Sequence, residues 1–184
     1  MGLLDTLGEI VAALDRAGIP HMVAGSVAST YYSEPRTTQD IDIVIDPDQS
    51  SLRRFVAGLD HDRYYMGDAE GAFAQRSQFN VIDITSGWKI DLMLCRDRPF
   101  SRTELERRQR VDIEGLQVHV ASPEDTILAK LEWGATSGSE RQRRDVSAIV
   151  RSMREELDLG YLRRWAGELG VADALDELLH EPDP

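Results

Sequence analysis

Lysine is nearly absent from this chain of 184 residues: of its 21 basic side chains only those at 89 and 130 are lysine, the rest being arginine. Cysteine occurs once, as Cys95, which excludes an intramolecular disulfide and leaves no thiolate cluster for zinc; packing at the end of an apolar run is its expected role. Long hydrophobic runs are missing too. No stretch approaches the ~20 apolar residues that a bilayer-spanning helix needs. Acidic Asp5 and Glu9 stand where a signal peptide would carry basic residues, so the expectation is a cytoplasmic protein with no membrane partner. Positive charge is also in short supply. A formal net charge of −12 disfavours long-range attraction to nucleic acid. Arginines nevertheless cluster at Arg107-Arg108-x-Arg110 and Arg141-x-Arg143-Arg144, either as solvated helix faces or as local seats for a polynucleotide or tRNA.

What is present is an ordinary globular composition, 41% hydrophobic and 29% charged, enough for one domain or a core with a helical extension. The most informative stretch runs from Met22 to Asp46. A short apolar run stops at Gly25-Ser26, a segment able to form two or three helical turns follows, and the run Asp40-Ile41-Asp42-Ile43-Val44-Ile45 alternates as a strand does. Residues two apart on a strand point the same way, so Asp40 and Asp42 project from one face and the isoleucines from the other. Carboxylates held that close repel unless a cation sits between them. Aspartates supply the hard oxygen ligands that Mg²⁺ prefers, and Mg²⁺ completes its shell with water and phosphate oxygens. A glycine turn lets the backbone approach a ligand, and the helix that follows offers unpaired N–H groups to phosphate. Metal on a strand beside phosphate at a turn suits a nucleoside triphosphate (NTP).

A third carboxylate comes from a second pair of strands. Phe79 to Ile84 and Lys89 to Leu94 are β-rich runs joined by Thr85-Ser86-Gly87-Trp88, a hairpin pattern. Asp91 lies in the apolar second run, where an unpaired charge is expensive, so it is the expected third ligand. Asp83, nearer the outer half of its strand, is the rival.

Gly25-Ser26, Asp40-x-Asp42 and Asp91 together resemble the DNA polymerase β-type nucleotidyltransferase superfamily. Arg36-x-Thr38-x-Asp40-Ile41-Asp42, followed by Ser122-Pro123-Glu124-Asp125-x-x-Leu128-x-Lys130-Leu131, is similar to its AbiEii-like toxin branch, over roughly residues 5 to 150. The resemblance implies an α/β (α+β) nucleotidyltransferase fold, a mixed sheet flanked by helices. The core is then residues 1–120, with a C-terminal helical region, 121–184, packed on it. It implies two Mg²⁺ ions on Asp40, Asp42 and Asp91, and NTP held by Gly25, Ser26, Arg36 and Lys130. Asp145 matches a further acidic motif of that branch. From the residues alone, Lys130 can equally snorkel from a half-buried stripe. Asp145 can orient Lys130 or the substrate, or pair with Arg141 or Arg144, and Arg36 can meet phosphate or Asp40.

Elsewhere the spacing predicts a helix over Leu3 to Ala17 stopped by Gly18, a first strand over Ile19 to Ala24, and a helix ended by Pro35. Ser50 or Ser51 is the expected cap of a helix through Leu59, and 67–76 reads as a loop beside the site. Ser101 is the expected cap over 104–108, Val111 to Val120 a strand or a hairpin about Glu114-Gly115, and Ser122-Pro123 a strong helix start. The expected activity is Mg²⁺-dependent nucleotidyl transfer to RNA or another macromolecule, as in a toxin with an antitoxin partner. Two alternatives are transfer to a small molecule of the aminoglycoside type, and nucleotide binding without turnover.

Overall fold

The computed structural model of the chain describes residues 2–34, 37–38 and 40–181, which fall into two compact units. The first holds the described residues up to Val27 and those from Thr37 to Val120, and the second those from Ala28 to Glu34 and from Ala121 onward. In the first unit the chain forms α1 (Leu3–Ala17), β1 (His21–Val23) and the start of α2 (Gly25–Tyr32). It continues through β2 (Asp40–Ile45), α3 (Gln49–Gly58), β3 (Tyr64–Met66), α4 (Ala69–Gln75), β4 (Gln78–Asp83) and β5 (Lys89–Leu94). It ends with α5 (Pro99–Glu106), β6 (Gln109–Ile113) and β7 (Leu116–Val120). The strands make one seven-stranded mixed sheet in the order β3-β4-β5-β2-β1-β7-β6, the expected α/β architecture.

The sheet has two unlike faces because its central strands alternate. Ile41, Ile43, Ile45, Ile90, Leu92, Phe79 and Val81 are all buried on one side, each such side chain contributing about 1.5–3 kcal/mol by leaving water. Helix α1 covers that side with Leu7, Ile10, Val11 and Leu14, and its Thr6 hydroxyl reaches the Asp83 carboxylate at 3.5 Å. Gly18, at φ 71°, ends α1 by donating its N–H to the Asp15 and Leu14 carbonyls. On the other face the same strands alternate as Asp40, Asp42 and Val44, and as Lys89, Asp91 and Met93, all partly exposed.

The second unit holds the rest of α2 and four further helices, α6 (Pro123–Ser137), α7 (Glu140–Met153), α8 (Leu159–Leu169) and α9 (Ala172–His180). Ser122 starts α6 as its spacing requires, accepting from the Asp125 N–H at 3.1 Å with Pro123 in the first turn. Gly170 in the left-handed conformation, φ 72°, separates α8 from α9. Among the described residues no helix is long and apolar enough to cross a membrane.

Several local expectations are corrected. Asp48, not Ser50 or Ser51, caps α3: its carboxylate accepts from the Ser51 N–H at 2.7 Å. The stretch 67–76 is mostly helical, because Asp68 caps α4 by accepting from the Gly71 N–H at 2.8 Å. Helix α5 begins at Pro99 rather than after Ser101, and β1 is three residues long. Val111 to Val120 takes the hairpin form, turning through Glu114 and Gly115, both at positive φ. Pro35 lies outside the described residues.

Asp83 is turned to the buried face, where Arg63 Nη2 donates to it at 2.9 Å and the Thr85 N–H at 2.9 Å. The Arg63 guanidinium, helped by these N–H groups, holds the Asp83 carboxyl far below the usual carboxylate range. A depressed folded pKa stabilises the fold above the unfolded value and loses that contribution as pH falls. Arg63→Ala is therefore expected to melt below the wild type at neutral pH, with the gap narrowing only below about pH 4, as read from thermal melts across pH.

Candidate active site

The acidic face is assembled by strand register. β2 and β5 run parallel with Asp42 opposite Asp91 and Asp40 opposite Lys89, and β4 runs antiparallel to β5 with Asn80 opposite Asp91. Side chains of paired residues share a face, so Asp42, Asp91 and Asn80 form a polar row across three strands about 4.8 Å apart. Thr38 fixes the head of β2, its hydroxyl donating to the Asp40 carbonyl at 2.9 Å.

Gly25 closes the row at the β1 end. The Ala24 N–H donates to the Asp42 carbonyl at 2.9 Å, so the chain leaves β1 still paired with β2 and turns at once into α2. Gly25 has φ +56°, and an ideal Cβ built on it would lie 2.7 Å from Asp42 Cβ and 2.5 Å from Asp42 Cγ. Only a residue without a side chain lets the Asp42 carboxylate stand against this turn. Ser26 follows at the second position of α2.

Lys89 is the residue that sequence reasoning did not place here. Its ammonium lies 2.8 Å from Asp91 Oδ2 and 3.4 Å from Asp40 Oδ1, between two strands. The Asp91 carboxylate, with Asp40 adding to it, holds the Lys89 ammonium above its usual pKa, against a smaller opposing effect of burial. The signal was the two-residue spacing between Lys89 and Asp91, the same spacing that pairs Asp40 with Asp42. Asn80 was missed for a different reason: only the pairing of β4 with β5 brings it to Asp91.

Among the described residues no three His, Cys, Asp or Glu side chains are gathered as a ready-made metal site. The donor set nonetheless suits a hard divalent cation, since Asp42 and Asp91 are register partners with oxygen ligands, and a cationic group already stands between Asp40 and Asp91. Asp83 is removed from contention by facing the other side. Arg36 lies outside the described residues. A separate concavity of about 690 Å³, lined by Leu4, Gly8, Glu9, Ala12, Gly58 and Arg63 among others, contains none of these acids.

Lys130 and Asp145 meet in the helical unit. Lys130 does not snorkel: its side chain is 6% exposed, and Nζ donates to Asp145 Oδ2 at 2.8 Å and to Gln142 Oε1 at 3.0 Å. Among the partners open to Asp145, Lys130 is one that it meets. At the start of the same helix Asp125 is buried and accepts from the Ser122 hydroxyl at 2.6 Å and the Tyr161 hydroxyl at 2.5 Å.

A seven-stranded mixed sheet flanked by helices, with an acidic face beside a glycine turn, defines a protein of the nucleotidyltransferase fold. By sequence the chain belongs to a family of uncharacterised nucleotidyltransferases, whose model matches residues 1–181, and it is an enzyme of that class. No curated protein matches it by sequence. Among solved structures it is similar to an antigenic nucleotidyltransferase-like protein from Paracoccidioides brasiliensis, at 16% identity and TM-score 0.59 over 96% of this chain and 91% of that one. It is also similar to the antibiotic-resistance factor ANT(2'')-Ia, at 15% identity and TM-score 0.61 over 96% and 97%. A lincomycin-bound lincosamide antibiotic adenylyltransferase, LnuA, matches at 12% identity and TM-score 0.53 over 79% and 94%. At these identities the likeness is one of fold.

Substitutions at two glycines and in one buried ion pair test this geometry. Gly87 has φ +79° with nothing within 4 Å of an added Cβ, so Gly87→Ala is expected to cost only the left-handed strain, about 1 kcal/mol. Gly25→Ala adds the collision with Asp42 and is expected to cost clearly more in a urea titration. Lys130→Met, which takes the ammonium from a buried carboxylate, is expected to lose about 3–5 kcal/mol, much of it returned when Asp145→Leu is added.

Proposed function

We propose that the protein transfers a nucleoside monophosphate from an NTP to an acceptor hydroxyl, using Asp40, Asp42 and Asp91 as ligands for divalent magnesium. The observation that supports this best is the pairing of Asp42 with Asp91 beside a Gly25 that admits no side chain. Magnesium bound there supplies positive charge that lowers the pKa of the acceptor hydroxyl and offsets the charge of the departing pyrophosphate. The Gly25-Ser26 turn and the first N–H groups of α2 seat the β- and γ-phosphates. The acceptor oxygen forms a bond to the α-phosphorus, the bond from that phosphorus to the pyrophosphate oxygen breaks, and the hydroxyl proton passes to the Asp91 carboxylate. The AbiEii-like pattern extends the reading to Arg36 as a phosphate contact, while Lys130, enclosed against Asp145 and Gln142, braces the helical unit.

Two acceptor classes are supported by different observations. A small cationic acceptor of the aminoglycoside type suits the net charge of −12 and the pairing of Arg143, one arginine of the 141–144 cluster, with Glu177 and Glu181. An RNA acceptor, as in a toxin with an antitoxin partner, rests on the AbiEii-like sequence pattern and on the exposed Arg110 of β6.

Asp42→Asn and Asp91→Asn are each expected to lower nucleotidyl transfer at least about a hundredfold while the protein stays folded. Incubation with each α-³²P-labelled NTP and Mg²⁺, in parallel with an aminoglycoside panel and total cellular RNA, measures the loss and shows which acceptor takes the label. Undiminished transfer by both variants would reject the metal assignment.

A further inference from the structure

We infer that Lys89 is the resident counter-ion of the acidic face: its ammonium holds Asp40 and Asp91 in the metal-free protein and must withdraw before a divalent cation can engage both. This deepens the functional reading above and rests on it.

The placement of the ammonium is dictated by the backbone. Lys89 and Asp91 are two apart on β5, hence on one face, and the parallel register sets Asp40 directly beside Lys89. One ammonium therefore reaches carboxylates of two different strands, at 2.8 Å and 3.4 Å. It stands between Asp40 and Asp91, with Asp42 opposite Asp91 on the same face.

Its chemistry favours release. Lysine presents a compact charge on a flexible stem, whereas arginine grips carboxylates through a two-pronged planar fork. A chain that otherwise uses arginine almost everywhere has lysine at this position. The Lys89 side chain is 39% exposed and Asp40 50% exposed, so the ammonium can retreat into water while the stem stays on the strand. The Asp40 contact is a half-exposed pair and weak enough to yield to a divalent ion, while Asp91, 16% exposed, keeps the shorter contact until the ammonium swings away. The metal-free face is thereby kept from repelling itself, and metal loading becomes an exchange of one cation for another.

The test measures metal binding without turnover. Free Mn²⁺ is followed by electron paramagnetic resonance for the wild type, Lys89→Met and Lys89→Arg, without nucleotide, and thermal melts are recorded in EDTA and in Mg²⁺. Lys89→Met is expected to bind Mn²⁺ roughly threefold to tenfold tighter, to melt below the wild type in EDTA, and to gain more from Mg²⁺. Lys89→Arg is expected to bind no tighter than the wild type. Lys89→Gln provides the same measurement with a side chain that keeps hydrogen bonds to the carboxylates. Equal Mn²⁺ affinity and equal Mg²⁺ shifts in the wild type and both neutral variants overturn the role of Lys89 and leave the metal ligands standing. Mn²⁺ binding absent from the wild type and from both neutral variants alike, or unchanged by Asp42→Asn, rejects the metal site itself and this inference with it.

Discussion

The parallel pairing of β2 with β5 is the constraint on which the acidic face depends. Its register sets Asp42 against Asp91 and Asp40 against Lys89, and a slip of one residue in either strand would send that strand's two charged residues to the buried side. That slip is forbidden energetically rather than by any single contact. Ile41, Ile43, Ile45, Ile90 and Leu92, all fully buried, would have to exchange places with charged groups. The hydrophobic face of the sheet thus fixes the geometry of the polar one.

The two units balance charge in contrasting ways. In the helical unit the Lys130–Asp145 pair is enclosed, and its partners leave it little freedom. On the sheet, Lys89, itself partly exposed, bridges an open carboxylate, Asp40, and a more covered one, Asp91. A buried pair resists rearrangement because either charge left alone is costly, whereas an exposed one exchanges partners readily. The same side-chain type therefore serves as a fixed strut in one place and a movable one in the other.

Much of this was legible in the sequence because it depends on local periodicity. The extent of α1, the alternation of β2 and β5, the hairpin between β4 and β5 and the start of α6 all follow from spacing and from Gly18, Gly87 and Ser122-Pro123. What sequence could not supply is pairing. Asn80 and Lys89 join the acidic face only through strand order, whereas Asp83 shares the parity of Phe79 and Val81 and so lies on the buried side, where Arg63 meets it. The remaining misses are contests between neighbours of similar chemistry. Asp48 takes the cap because the helix begins at Gln49, which puts Ser50 and Ser51 inside its first turn, and Asp68 makes a helix of a stretch whose small residues suggested a loop.

The scarcity of lysine has a practical side. Lys130 is enclosed at 6% side-chain exposure and Lys89 is open at 39%, so amine-selective reagents directed at lysine side chains meet essentially one target, on the acidic face. Acylation there would erase the charge between Asp40 and Asp91 while leaving the surface arginines untouched. The mass of a single adduct would then act as a gauge of how freely that ammonium leaves its carboxylates.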